Sequence, residues 1–427
     1  TLVTFIDAGD REITIDDPSL FQPSKSLALR TIQIGQELVQ YREVSNSKPW
    51  KLLDCERGAF GTQAKAHESG TEVSLLADHA YKVFLSDAGL TMERGETLAR
   101  LFNETGIRQI SFDGLEGNRS TGLGNYGEVL MTNTWYENLD EDIKTHYIAD
   151  ASRTSHFFWH IYSRMNWGEP WYAGFRESQT EYRFKNQAYF ERNLMPGMLG
   201  WFLMTEETSR EDIEWMLSKA AGYNAGFGFV AGYEALERNG STNEILNLIR
   251  IWEQARMLRV FDGELRERLK NVEMEFHLQE ISEQEWELSE IHTFIIEHAN
   301  TEKQPGEPGF SQLAFSNTTD GQPMDFILSV TGGDVSSVKL VVDNNREVIV
   351  PFTLSEGEKL RSIDGHRVAH YDKNWKIIRE INVEPVALKA GEHSVTMDCS
   401  FSGGGDSSLK LELRIPGEQV KVVSQPL

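Results

Sequence analysis

Two acidic side chains, Asp113 and Glu116, stand three positions apart in the stretch Arg108-Gln-Ile-Ser-Phe-Asp-Gly-Leu-Glu-Gly117. Ile110 and Phe112 alternate with Gln109 and Ser111, the period of a short half-buried strand over 107–113, and Gly114 breaks it. Asp113 then falls at the strand tip and Glu116 in the loop just beyond. Cleaving a glycosidic bond takes two carboxyl groups, one to protonate the leaving oxygen and one to act as nucleophile or base. α/β barrels place such groups at the ends of their strands. The competing reading is two solvated loop acids.

A third acid, Glu169, lies in Arg164-Met-Asn-Trp-Gly-Glu-Pro-Trp-Tyr172. Trp167, Trp171 and Tyr172 flank it. Aromatic faces stack on the apolar faces of pyranose rings, and an apolar setting raises a carboxyl pKa toward that of a general acid. Equally, the tryptophans can be core anchors and Glu169 a turn residue before Pro170. Arg176 and Glu177 are near enough in sequence to serve the same pocket, although an ordinary salt bridge accounts for them as well.

Other polar residues fall into two groups. The loop 117–127 carries Arg119, Asn125 and Tyr126, and contains Gly122-Leu-Gly-Asn-Tyr-Gly127. That spelling matches the dinucleotide fingerprint, but a carboxylate-bearing turn separates it from its strand and would repel phosphate. A long polar active-site loop is the better reading. His156 and His160 have the i, i+4 spacing of a metal pair on a helix, yet Phe157 stands where a metalloprotease has Glu and no third ligand is evident. A substrate-bonding or core histidine accounts for His156 without a metal. Arg153, after a strand that ends at Asp150, is a candidate hydroxyl or carboxylate contact. Trp201 lies in an apolar strand and is a candidate sugar platform. No cofactor or metal is implied.

The elements that must position these residues can be read from the periods. Residues 1–74 form a β-rich module with a hairpin at Gly35-Gln36. Residues 75–305 alternate strand and helix: a helix over 92–103, strands at 107–113 and 147–150, a helix over 176–190, a strand at 198–204, a helix opened by Ser209, a strand at 225–230 and a helix over 244–261. Such alternation argues for a parallel sheet. Residues 262–306 are charged and mixed, with a linker signal at Gln304-Pro-Gly-Glu-Pro-Gly309. Residues 306–427 alternate in short runs as a β-sandwich does.

The 427 residues carry 66 acidic and 42 basic side chains, a formal charge of −24. That excess of negative charge argues against nucleic acid as a partner and disfavours docking on an anionic membrane surface. The two cysteines make no disulfide framework. The chain opens on Thr1 inside a strand-like run, so an upstream segment is expected to precede it and localisation is not written in its first residues.

Two resemblances follow. Cys55-Glu-Arg-Gly-Ala-Phe-Gly-Thr62, with His67 and Gly70, resembles a small β-module of phage-tail and similar proteins; a catalytic Arg57 or His67 competes there with a structural turn. The Asp-Gly-Leu-Glu tip, the aromatic-flanked Glu169, the Trp201 strand and the trailing sandwich resemble (β/α)8-barrel glycoside hydrolases of bacterial polysaccharide-degrading type. That resemblance implies an N-terminally incomplete TIM-type barrel and a carbohydrate substrate. It also implies Asp113 or Glu116 as nucleophile or base, Glu169 as proton donor, and secretion or a periplasmic location. A polysaccharide lyase using Tyr126 or His156 as base, with Arg153 and Arg176 neutralising a uronate, and a non-catalytic glycan-binding or phage-tail-like protein are the alternatives.

Overall fold

The computed structural model describes residues 1–21, 26–152, 159–165, 176, 180, 184–302, 304, 306–363, 365–402 and 406–424. The chain forms two compact units, Thr1–Asn166 and Trp167–Leu427.

The first unit begins with two small antiparallel sheets. Ile13–Thr14, Lys51–Leu53 and Glu43–Val44 make one; Glu37–Gln40, Thr31–Ile34 and Ser74–Leu75 make the other. Their alternation buries Ile13, Ile32, Ile34, Val39 and Leu52 in one core. Helix α1, Ala88–Thr105, follows, its first turn capped by Asp87 accepting from the Leu90 amide at 2.8 Å. Strands β1 (Gln109–Phe112), β2 (Ile148–Ala151) and β3 (Arg164–Met165) are parallel, in the order β3-β2-β1.

Between β1 and β2 lies helix α2, Asn125–Glu137. The long loop expected from 117 to 127 is therefore a 3-10 turn, Leu115–Thr121, that runs into this helix. Asn, Tyr, Gly and two Thr are weak helix formers, so propensity does not announce it. Packing supplies the stability instead. Trp135 is fully buried, with edge contacts to Phe102, Phe112 and Tyr147 at 5.3–5.4 Å.

In the second unit, β4 (Met198–Met204) and β5 (Gly226–Ala231) pair in parallel, connected by α3, Arg210–Tyr223. Helices α4 (Thr242–Met257) and α5 (Gly263–Lys270) pack with α3. The helix expected over 244–261 begins at Thr242 and stops at Met257, because Arg259 turns left-handed at φ 56°. The parallel strands thus stand in a three-stranded and a two-stranded sheet, and no sheet among the described residues closes into a barrel.

Two large antiparallel sheets, with a small two-stranded one of Gln322–Pro323 and Ala387–Leu388, complete the unit. Strands β6 (Glu275–Ser282), β7 (Glu285–Ala299), β8 (Ser311–Asn317), β9 (Phe326–Thr331), β10 (Val335–Val342), β11 (Arg346–Ile349), β12 (Lys359–Ser362), β13 (Arg367–Tyr371), β14 (Ile377–Asn382), β15 (Gly391–Phe401) and β16 (Ser408–Val423) build them. Seven strands run β6-β7-β16-β9-β12-β13-β14 and four run β8-β15-β10-β11. Leu328 and Leu411 of one sheet and Leu340 and Val395 of the other share a core from which solvent is excluded. The stretch 262–306, charged and mixed in sequence, is α5 and the long β6–β7 hairpin. Its apolar residues serve two cores. Phe276, Leu278, Trp286 and Leu288 pack beneath the helices, while Phe294 and Ile296, farther along β7, pack into the sandwich.

Candidate functional site

Asp113 and Glu116 follow the C-terminal end of β1, as the alternation of Ile110 and Phe112 requires. Gly114 makes the turn between them with φ 73°, a conformation glycine adopts without strain. A Cβ there would also come within 3.2 Å of the Tyr81 ring. Asp113 is exposed and Glu116 half-buried. The Tyr81 hydroxyl donates to Glu116 Oε1, and Ser152 Oγ donates to Glu116 Oε2 at 2.6 Å. Both bonds run from hydroxyl to carboxylate, so each oxygen of Glu116 has a donor. The hydrogen bond to Glu116, with that group's charge, holds the Tyr81 phenol above its ordinary value.

Ser152 comes from the end of β2, the neighbouring strand, and also accepts from the Leu115 amide at 3.2 Å. The carboxylate is therefore fixed by two strand tips at once. Asp113 lies on a cleft of about 690 Å³ walled by His79, Tyr81, Phe60, Phe112 and Leu115. His79 stacks edge-on to Tyr81 at 4.5 Å and accepts the Tyr81 amide on Nδ1 at 3.3 Å. The lining is largely apolar and aromatic, with Asp113 as its carboxylate and Lys82 and Arg94 as its cations, the make-up of a small-molecule cleft. Tyr81, His79 and Ser152 are the residues that sequence reading missed. For Ser152 a signal existed: it follows directly on a strand tip, the position at which Asp113 was singled out.

The polar residues beyond Glu116 are placed differently from a loop. Asn125 and Tyr126 are exposed on the first turn of α2. Arg119 makes an ion pair with Glu128 at 3.8 Å. Gly127 has the Asn118 carbonyl oxygen 2.4 Å from where a Cβ would sit, so the last glycine of the fingerprint spelling is a packing requirement. Asp150 is buried and accepts from Arg164 Nε at 3.0 Å across β2 and β3. His160 is exposed and touches Tyr136 and Trp159 edge-on. Among the described residues no group of three His, Cys, Asp or Glu is placed to hold a metal ion.

Glu169, Trp167, Trp171, Tyr172, Arg153, His156 and Glu177 lie outside the described residues. Arg176 is described and fully engaged. Its Nε bonds Asp212 at 3.1 Å, its Nη1 bonds Glu275 at 2.6 Å, and its guanidinium lies 5.2 Å from the Trp215 ring. It ties the start of α3 to β6. Trp201 is half-buried, its ring lying 3.2 Å from the Cβ position of Gly228, its register partner on β5.

The Arg57 and His67 motif resolves into a buried carboxylate. Glu37, 1% exposed, accepts from Arg57 Nε and Nη2 at 2.7 and 2.9 Å, from the Gly58 and Lys65 amides at 3.0 and 3.1 Å, and shares a 2.8 Å bond with His67 Nε2. Both side chains are spent on Glu37, which pins the glycine loop to the hairpin. Among the described residues no helix is long and apolar enough to cross a membrane.

No protein-family model matches the chain, and no curated protein sequence does. Among solved structures it is similar to the isomalto-dextranase of Arthrobacter globiformis T6 in complex with panose, at 10% identity, 74% of this chain and 71% of that one, with a TM-score of 0.27. It is also similar to a family two carbohydrate esterase from Cellvibrio japonicus, at 11% identity, 32% of this chain and 37% of that one, with a TM-score of 0.14. Both are carbohydrate-active enzymes, and at these scores neither overlap decides fold or chemistry.

Proposed function

We propose that the chain is a secreted or periplasmic glycoside hydrolase acting on O-glycosidic bonds of a poly- or oligosaccharide. The observation that supports this reading is the strand-tip pair beside the aromatic cleft: Asp113, exposed, on its lining, and Glu116 just behind, its two oxygens bonded by Tyr81 and Ser152. Glu116 acts as the charge-stabilising carboxylate or nucleophile and Asp113 as its partner or base. Glu169 is the proton donor on the strength of its tryptophan neighbours in the sequence. The fold is read as an incomplete (β/α)8 barrel, supported by the strand–helix alternation over 75–305 and by the parallel pairing found within each unit taken by itself.

A lyase would need a phenolate or imidazole base. Tyr81, the phenol at this cleft, is held in its protonated form by Glu116, which works against it in that role. The test is release of reducing ends from a panel of neutral and acidic glycans. Glu116→Gln and Asp113→Asn should each lower turnover by about 10³-fold with unchanged circular dichroism, and Glu169→Gln likewise. Full activity in a variant rejects that carboxyl group. Glycan binding with no product from the unaltered protein turns the reading to a binding module.

A further inference from the structure

The C-terminal ends of α3 and α4 meet the start of α5 around a cleft of about 530 Å³ lined by Arg256, Arg259, Arg266, Asn224, Phe261 and Asp262, with Ala221 and Gly263. Its lining holds three arginines and one carboxylate, Asp262, while Glu253 pairs with Arg256 from outside it. In a chain with 66 acidic and 42 basic residues, this reverses the prevailing sign.

Each arginine is disposed differently. Arg256 is fixed, its Nε and Nη2 on the two oxygens of Glu253 at 2.9 and 2.7 Å and its Nη1 on Asn224 Oδ1 at 3.3 Å. Arg266 commits its Nε to the Gly222 carbonyl at 3.2 Å, and no bond to its Nη atoms is found among the described residues. Arg259 is exposed and has no side-chain hydrogen bond or ion pair among the described residues. It also holds φ 56° at the position after a helix where glycine or asparagine is usual. Strain of this kind concentrates at functional sites.

The helix dipole explains part of this, since cations are favoured at the C-terminus of α4. It also accounts for the Arg266 Nε bond to the Gly222 carbonyl at the C-terminal end of α3, but it leaves the Arg266 Nη atoms and the Arg259 guanidinium with no bond among the described residues. Convergence of the three on one concavity is what a bound anion accounts for. We propose that this cleft is an oxyanion-binding site, taking a carboxylate, sulfate or phosphate group, with Arg259 and Arg266 as the fork-shaped donors and Arg256 as a fixed charge behind them. The inference is independent of the role given to Asp113 and Glu116.

Calorimetric titration at constant ionic strength tests it, with inorganic sulfate, inorganic phosphate and glucuronate as probes, chloride as background and glucose as the neutral control. At least one anion should bind saturably, and its identity separates an acidic-sugar site from a sulfate or phosphate site. Arg259→Gly relieves the backbone strain, so this variant should melt no lower than the unaltered protein. It should nevertheless bind the anion about tenfold or more weaker. Arg266→Gln is the second variant, and weakened binding in either supports the site. Absence of binding above chloride by all three anions, or unchanged affinity in both variants, overturns it.

Discussion

Glu37 illustrates how one side chain can carry a motif that looks catalytic. Burial works against its charge, but the bonds from Arg57, His67 and the Lys65 and Gly58 amides win, and its carboxyl is held down at about 2. A depressed carboxyl stabilises the fold above the ordinary value near 4.5 and loses that contribution as pH falls toward 2. The first unit should therefore lose structure between those limits. Glu37→Ala strips the partner from a buried Arg57 and should cost roughly 3–5 kcal/mol in chemical denaturation at pH 7. A cost under about 1 kcal/mol would rank it with surface pairs. Arg57 and His67 could be picked out from their glycine spacing. Their partner could not, because it lies 20 and 30 residues away on a strand whose acid looks like an exposed alternate position.

Helix α3 shows the same limit from the side of an element. Its cap is local and legible: Ser209 Oγ accepts the Asp212 amide at 3.1 Å. Its burial is not, since residues on every face are covered by β4, α4, α5 and β6, including Lys219. Lys219 Nζ reaches the Met274 carbonyl at 2.7 Å between the Trp215 and Phe276 rings, and burial lowers its pKa to about 7. The folded chain then binds fewer protons than the unfolded one between pH 7 and 10.5. Stability should rise with pH across that window. Lys219→Met should flatten the rise and stabilise the fold at pH 7, read from denaturation midpoints at pH 7, 8.5 and 10. A midpoint that falls with pH in the unaltered protein would contradict this.

Across the whole molecule the excess of acids sets the behaviour. A formal charge of −24 repels itself in the folded state. Raising sodium chloride from about 10 mM to 0.3 M shortens the screening length from roughly 30 Å to well under 10 Å. The melting temperature should rise accordingly. A flat response would mean that the weakening of pairs such as Arg414–Glu275 and Arg210–Glu244 by salt offsets the relief of repulsion. The sequence by itself determined the strand tip that carries Asp113 and Glu116, the hairpin at Gly35, the Ser209 cap, the stop at Gly106 and the alternating strands of the sandwich. Each of these is encoded within a few neighbouring residues as a period or a turn. Only the tertiary structure decided that Tyr81 and Ser152 hold Glu116, across separations of 35 and 36 residues, that Trp135 makes α2 a helix, and that β7 serves two cores. Contacts of that length are chosen by packing and chain closure, and no local pattern records them.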